Sequence, residues 1–302
     1  MRASRVCRLR KLAYGFGAII CVASLAYVGV VFFRHLEGFR HSDWRDLEIQ
    51  PLIGASLLYA AALLATSAVW PLLVHSTQRT TSFARLLLIG LASQSGKYLP
   101  GNVVHYFGRA ALARTYAIGW KRSAEFTVLE LSTAVTAGLL VAFLSILSGV
   151  EHWRILSDYI PEVAAVVLGA AGAISVFGLR AHSAAHVMSA FGSSVAAFVL
   201  AGYSFYLVTA AMPGFADGDR LTTIGMFALA WIAGFVVPGV PAGLGIREVI
   251  LLGLLAPSVG SANAVLAVGV HRLLSIGIDV LVALVAGVAL WRGKHGSRQA
   301  LD

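Results

Sequence analysis

The chain has 302 residues, of which 58% are hydrophobic and only 12% charged, and its formal net charge is +9. Soluble domains carry about 25% charged residues, so this composition excludes a soluble enzyme and predicts a single integral-membrane domain over residues 1–302. Lysine and arginine concentrate at the ends of apolar segments, which is typical of membrane topology rather than of nucleic-acid binding. The two cysteines provide no disulfide framework.

Several apolar runs are long enough to cross a bilayer core of about 30 Å as helices. The run at 12–33 follows five basic residues and lacks a small-residue cleavage site, so we expect a retained helix rather than a signal peptide. Spanning helices are predicted at residues 12–33, 51–74, 124–148, 162–179, 187–211 and 262–290.

The loops between these helices differ in charge, and this difference predicts their sidedness. Acidic residues concentrate in segments 34–50, 150–162 and 212–220. Basic residues concentrate at the N-terminus and in segments 75–85, 97–122 and 292–302. The positive-inside rule therefore predicts a multi-pass protein with both termini in the cytoplasm.

Two further apolar regions, 86–118 and 222–257, are interrupted by proline and glycine. The first contains KYLPGN at 97–102, and the second contains PGVPAGLGIRE at 238–248. Each pattern predicts a helix, a break and a restarting helix. Broken backbone at membrane depth needs protein around it, so we expect two re-entrant hairpins entering from opposite faces. A tight pair of full spans would give the same sidedness.

These features predict an all-α polytopic membrane protein with about six spanning helices and two re-entrant helical hairpins. Hairpins that enter from opposite faces suggest an inverted repeat, which is the usual architecture for alternating access. Sequence similarity between the two halves is faint, so the repeat is inferred from topology alone.

The hairpin tips carry the residues that suggest a substrate site. A restarting helix presents free N–H groups and the positive end of its dipole, which together attract anions. Asn102 is placed to cap the first restart, and Gly243 and Gly245 allow the backbone to approach a ligand at the second. Positive charge near the tips is supplied by Lys97, Arg109 and Arg247.

The last predicted helix adds a polar stripe, because Arg272, Ser275 and Asp279 share one helical face. We expect this stripe to face the protein interior, with Arg272 binding phosphate and Asp279 as its counter-charge or a proton site. A structural pair between helices is the alternative. Glu130 and Glu248 are further candidates for charge partners or proton relays.

Other chemistries lack a sequence signal. The chain has no nucleophile elbow, Walker motif or dinucleotide fingerprint, so neither catalysis of those types nor ATP-driven transport is expected. His182 and His186 have helical spacing, but no third ligand lies near them in the sequence. We therefore predict no metal site and no cofactor.

The string PAGLGIRE, the following helix with His271 and Arg272, and KYLPGN with Gly108 and Arg109 resemble the flippase-like transmembrane domain of lysylphosphatidylglycerol synthases. The resemblance covers nearly the whole chain and is more specific in its C-terminal motif. Many members have a compact Pro-Gly-x-x-Gly-acid-x-x-Arg pattern, whereas here residues 102–107 fill the gap and no acid is present. The aminoacyl-transferase domain of the synthases has no counterpart in these residues, which suggests a free-standing member.

The resemblance implies translocation of an anionic or zwitterionic lipid between leaflets, and our leading hypothesis is a phosphate-bearing lipid in a bacterial inner membrane. The expected substrate is a polyprenyl-phosphate-linked sugar or another glycolipid, and a biosynthetic glycosyltransferase is the expected partner. An intramembrane transferase acting on a lipid-linked donor is one alternative, with Glu130 or Asp279 as general base. A flippase for an aminoacyl-phospholipid and a non-transporting scaffold are the others.

Overall fold

The computed structural model describes residues 48–77, 81–98, 104–148, 183–212, 219–237 and 240–299, with residues 165, 166 and 169. The predicted span at 12–33 and nearly all of the one at 162–179 lie outside the described residues, as do Asn102 and His182.

The described backbone is helical and contains no strand. Its α-helices are α1 Ile49–His75, α2 Phe83–Ser93, α3 Val104–Arg114, α4 Trp120–Ser148, α5 Ala184–Ala210, α6 Arg220–Val236, α7 Ile246–Val259 and α8 Ser261–Gln299. Two short 3-10 turns accompany them: the first break, Gln94–Tyr98, and the second break, Pro241–Gly243.

Four of the described helices are long and apolar enough to cross a membrane: α1, α4, α5 and the Ser261–Arg292 part of α8. They coincide with the predicted spans at 51–74, 124–148, 187–211 and 262–290. The prediction of an all-α membrane protein is thereby confirmed at this level, and the last helix is longer than expected.

The distribution of polar and apolar side chains is that of a bundle surrounded by lipid. Many large apolar side chains are exposed on the outer surface of the bundle, including Leu57 at 68% and Leu273 at 74%. The interior contains Thr133, Ser204 and Asp279, each 0% exposed. Polar groups avoid hydrocarbon because each unsatisfied one costs several kcal/mol there.

Helices α1 and α5 form the most extensive helix pair in the described bundle. Two serines of α5 join them by donating to backbone carbonyls of α1. Ser193 Oγ lies 2.8 Å from the carbonyl oxygen of Ala65, and Ser204 Oγ lies 2.8 Å from that of Ala55. Hydroxyl-to-backbone bonds of this kind hold apolar helices together where lipid supplies no hydrophobic driving force.

The two predicted interruptions both appear as helix–break–helix units. Helix α2 leads into the first break and then to α3, while α6 leads through the second break to α7. The backbone leaves the helical conformation at the second break. Ala242 and Gly243, and Gly245 just after the break, have φ angles of +49°, +69° and +86°. The two breaks contact each other, and the first also packs on α8. The fold therefore brings two distant Pro- and Gly-containing motifs to one place.

Candidate functional site

A cavity of about 150 Å³ lies where the two breaks meet α8. Four basic residues line it, and all four are ones that the sequence suggested: Lys97, Arg109, Arg247 and Arg272. Its wall also includes aromatic side chains from four helices and the first break, namely Tyr59, Tyr98, Tyr106, Phe198, Phe227, Trp231 and Phe235.

Asp279 is the most deeply buried charged residue in the described cavity region, with 0% exposure. It forms an ion pair with Lys97, whose Nζ lies 2.7 Å from Oδ2. The hydroxyl of Tyr59 lies 3.3 Å from each carboxylate oxygen, and the hydroxyl of Tyr98 donates to Oδ2. Asp279 thus fastens the first break to α8.

The prediction that Asp279 is the counter-charge of Arg272 is wrong. Seven residues of helix rise by about 10.5 Å, so two side chains on one face at this spacing lie too far apart for a close ion pair. Lys97 approaches Asp279 from the first break instead and takes that position. The polar stripe does face the interior as predicted, with Ser275 only 5% exposed.

Arg109 of α3 forms a two-pronged ion pair with Glu130 of α4. Its Nη1 lies 2.9 Å from Oε1, while Nη2 donates to Oε2 and to the hydroxyl of Thr127 at 3.1 Å. The guanidinium carbon also lies 4.8 Å from the centre of the Trp70 ring. The side chains of Arg109 and Glu130 are 5% and 12% exposed, so this ion pair is largely buried.

Arg272 pairs with Glu248, the acidic residue in the first turn of α7. Arg272 Nε lies 3.2 Å from Glu248 Oε1, and Nη2 donates to the carbonyl of Ala242 at 3.3 Å. The other oxygen of Glu248 accepts the N–H of Gly245 at 2.5 Å. The predicted anion site at this helix N-terminus is therefore not fully free, because the carboxylate of Glu248 already satisfies one donor.

Arg247 differs from the other three cavity cations. It forms no ion pair with any carboxylate in the part of the chain that the structure describes. Its guanidinium carbon lies 5.1 Å from the centre of the Trp231 ring, and Nε is buried and has no hydrogen-bond partner among the described residues. Arginine over an aromatic face is favourable, but the ring does not balance the charge.

Two glycines create the space for Arg247. A Cβ on Gly234 of α6 would lie 2.6 Å from Arg247 Cγ, and a Cβ on Gly243 would lie 2.7 Å from Arg247 Nε. Real Cβ atoms do not approach other atoms this closely. The side chain therefore passes between α6 and the second break only because both positions lack a Cβ.

Substituting Gly234→Ala should displace Arg247 and lower the free energy of unfolding by about 1–3 kcal/mol, the usual cost of overpacking. The matched control is Gly253→Ala in α7, where an added Cβ meets nothing within 4 Å. Unfolding in mixed detergent and SDS micelles measures both variants. Equal stability of the two would show that Gly234 is not needed to accommodate Arg247.

His271 lies among aromatic side chains next to the cavity. His271 is 6% exposed and lies edge-on to the rings of Tyr59, Phe205 and Phe227, at centroid distances of 5.8, 5.3 and 5.4 Å. It is a core residue beneath the cavity. Over the described residues, no group of three potential metal ligands occurs.

Several contact residues of the site were not among the candidates predicted from sequence. Tyr98 had a signal, since it adjoins Lys97 inside KYLPGN. Tyr59, Trp70 and Trp231 had none, because aromatic residues in apolar helices most often contact lipid or the core. Comparison of the sequence with protein-family models and with curated proteins found no match. The function is therefore inferred from the cavity and its charges.

Proposed function

We propose that this protein translocates a phosphate-bearing lipid between membrane leaflets, with a polyprenyl-phosphate-linked sugar or another glycolipid as substrate. The observation that carries the proposal is the cavity itself. Four cations from three separate parts of the fold line one space, and one of them, Arg247, has no described carboxylate partner. An unpaired charge away from water is costly, and a phosphate group would neutralise it by charge-assisted hydrogen bonds.

Arginine suits this role because its planar fork binds phosphate oxygens in pairs and stays charged when buried. We propose that Lys97, Arg109, Arg247 and Arg272 surround the headgroup, with Gly243 and Gly245 allowing close approach of the backbone and Asn102 capping the first restarting helix. Glu130, Glu248 and Asp279 neutralise Arg109, Arg272 and Lys97, so that Arg247 is the cation left for the phosphate. The apolar tail would stay in lipid through a lateral opening.

The proposed topology has about six spans and two re-entrant hairpins, α2–α3 and α6–α7, from opposite faces of a bacterial inner membrane. Helix length supports re-entrance, because α2 and α3 have 11 residues each, or about 16 Å. That is about half of the hydrocarbon thickness. Both termini would be cytoplasmic, and a biosynthetic glycosyltransferase would be the partner.

An intramembrane transferase is the alternative and would need a carboxylate available as a general base. The carboxylates of Glu130, Glu248 and Asp279 are all engaged in ion pairs. A base must lie within reach of the proton that it removes, and these groups are occupied by cations instead. The arrangement thus favours binding and release over proton abstraction.

Reconstitution into vesicles tests the proposal. A fluorescent polyprenyl-phosphate sugar should become accessible to a membrane-impermeant quencher faster in vesicles with protein than in empty ones. The lipid should be chemically unchanged by mass spectrometry, since an altered headgroup would indicate a transferase. The proposal fails if accessibility in protein-containing vesicles equals that in empty vesicles, with the protein shown to be folded.

A further inference from the structure

The positive and negative side chains around the cavity nearly cancel, and the net charge that remains indicates the charge of the ligand. Three cations have one carboxylate each: Lys97 with Asp279, Arg109 with Glu130, and Arg272 with Glu248. Arg247 is the remaining cation among the described lining residues. The undescribed residues beside the breaks, 99–103 and 238–239, contain no ionisable side chain.

Other groups at the cavity add no charge to this count at mildly alkaline pH. Tyr59, Tyr98 and Tyr106 are phenols, and a phenol is neutral at this pH. His105 lines the wall, and its Nδ1 is buried without a hydrogen-bond partner in the described region. A histidine without an acidic partner is neutral at about pH 8. The described site thus carries one net positive charge.

We infer that the cavity is built for a ligand with a single negative charge, a phosphodiester, rather than a phosphomonoester or a pyrophosphate. This inference deepens the proposed function and rests on it. A phosphodiester neutralises Arg247 and leaves the three existing ion pairs in place. A dianion leaves one negative charge uncompensated away from water, which costs several kcal/mol unless an ion pair opens.

Arg247 is also the cation best placed to accept such a group without rearrangement. Glu130 occupies both prongs of the Arg109 fork, and Asp279 holds Lys97 together with two tyrosines. Binding a phosphate at either would require breaking a buried pair. At Arg247, binding requires only that the phosphate occupy the space next to Trp231.

The test compares lipid probes that share one short isoprenyl tail and differ only in headgroup: the alcohol, the methyl phosphodiester, the phosphomonoester and the pyrophosphate. Their binding to the full-length protein in detergent is measured by native mass spectrometry at about pH 8, where a phosphomonoester carries two charges. The diester should bind about tenfold or more tighter than the phosphomonoester and the pyrophosphate, which carry more negative charge. The alcohol should bind most weakly.

Two substitutions each remove one negative charge from the site and so make its net charge more positive. Glu248→Gln and Glu130→Gln each leave a second cation uncompensated, so each should shift the preference toward the phosphomonoester. Glutamine keeps an acceptor oxygen for the N–H of Gly245, and the second variant provides an independent test if the first does not fold. Arg247→Gln should abolish the advantage of the diester over the alcohol.

The outcomes separate the inference from the proposed function. If the wild-type protein binds the phosphomonoester or the pyrophosphate more tightly, the inference is wrong while lipid translocation stands. If folded Glu→Gln variants keep the wild-type preference, charge balance does not select the headgroup. If no phosphate probe binds more tightly than the alcohol, both the inference and the proposed function fail.

Discussion

Substituting Asp279→Asn is expected to lower the free energy of unfolding by about 3–5 kcal/mol, the cost of removing one partner of a buried ion pair. Asp279 is 0% exposed and accepts from Lys97, Tyr59 and Tyr98. Asparagine has nearly the same shape but leaves the ammonium of Lys97 unpaired. Equilibrium unfolding in mixed detergent and SDS micelles measures the loss.

The matched control for this substitution is Asp219→Asn. Asp219 caps α6 by accepting from the backbone N–H groups of Leu221 and Thr222, and asparagine caps helices about as well. The double variant with Lys97→Met should recover most of the loss, because no unpaired charge remains. A stability of Asp279→Asn equal to that of the wild-type protein would mean that the ion pair does not hold the first break.

Substituting Arg247→Ala should reduce lipid affinity by about ten- to a hundredfold, because charge-assisted hydrogen bonds contribute about 1.5–3 kcal/mol each. Its effect on stability should be small, since Arg247 has no described ion-pair partner to leave behind. Arg109→Ala should do the reverse and destabilise the fold, because it leaves Glu130 buried and unpaired. Binding of the methyl phosphodiester and unfolding in SDS are measured in parallel.

The control for Arg247→Ala is Arg114→Ala, which removes an exposed arginine that lies over Trp120 outside the cavity. Arg247→Lys should restore affinity only in part, because a single ammonium cannot replace the fork. A folded Arg247→Ala protein that binds the probe with wild-type affinity would remove this residue from the site. Wild-type binding by Arg109, Arg247 and Arg272 variants alike would end the phosphate-site hypothesis.

The described helices were largely predictable, because hydropathy and helix breakers act locally. The apolar run at 51–74 appears as α1, Ile49–His75, and the motif at 238–248 interrupts the chain where its glycines take positive φ angles. The basic residues near both motifs line one cavity, as expected if the breaks meet.

The sequence identified acidic residues that could act as charge partners, but not all of their pairings. Glu130 on α4 pairs with Arg109 on the preceding helix α3. Asp279 was matched to the wrong residue, since a shared helical face does not bring side chains seven residues apart into contact. Sequence also predicted that Arg272 binds phosphate, whereas it pairs with Glu248, and Arg247 is the cavity cation that has no ion-pair partner among the described residues. This difference between Arg247 and Arg272 depends on how closely α6 approaches the second break in three dimensions.

Helix α8 holds both breaks at once. The first is attached through Asp279, and the second through Arg272, which bonds Ala242 and pairs with Glu248. These attachments are about 10.5 Å apart along a single continuous helix. An axial shift or rotation of α8 would therefore displace both hairpin tips in the same direction. The motions of the two halves of the molecule are thus coupled through this helix. A spin label on α8 would report the motion of both.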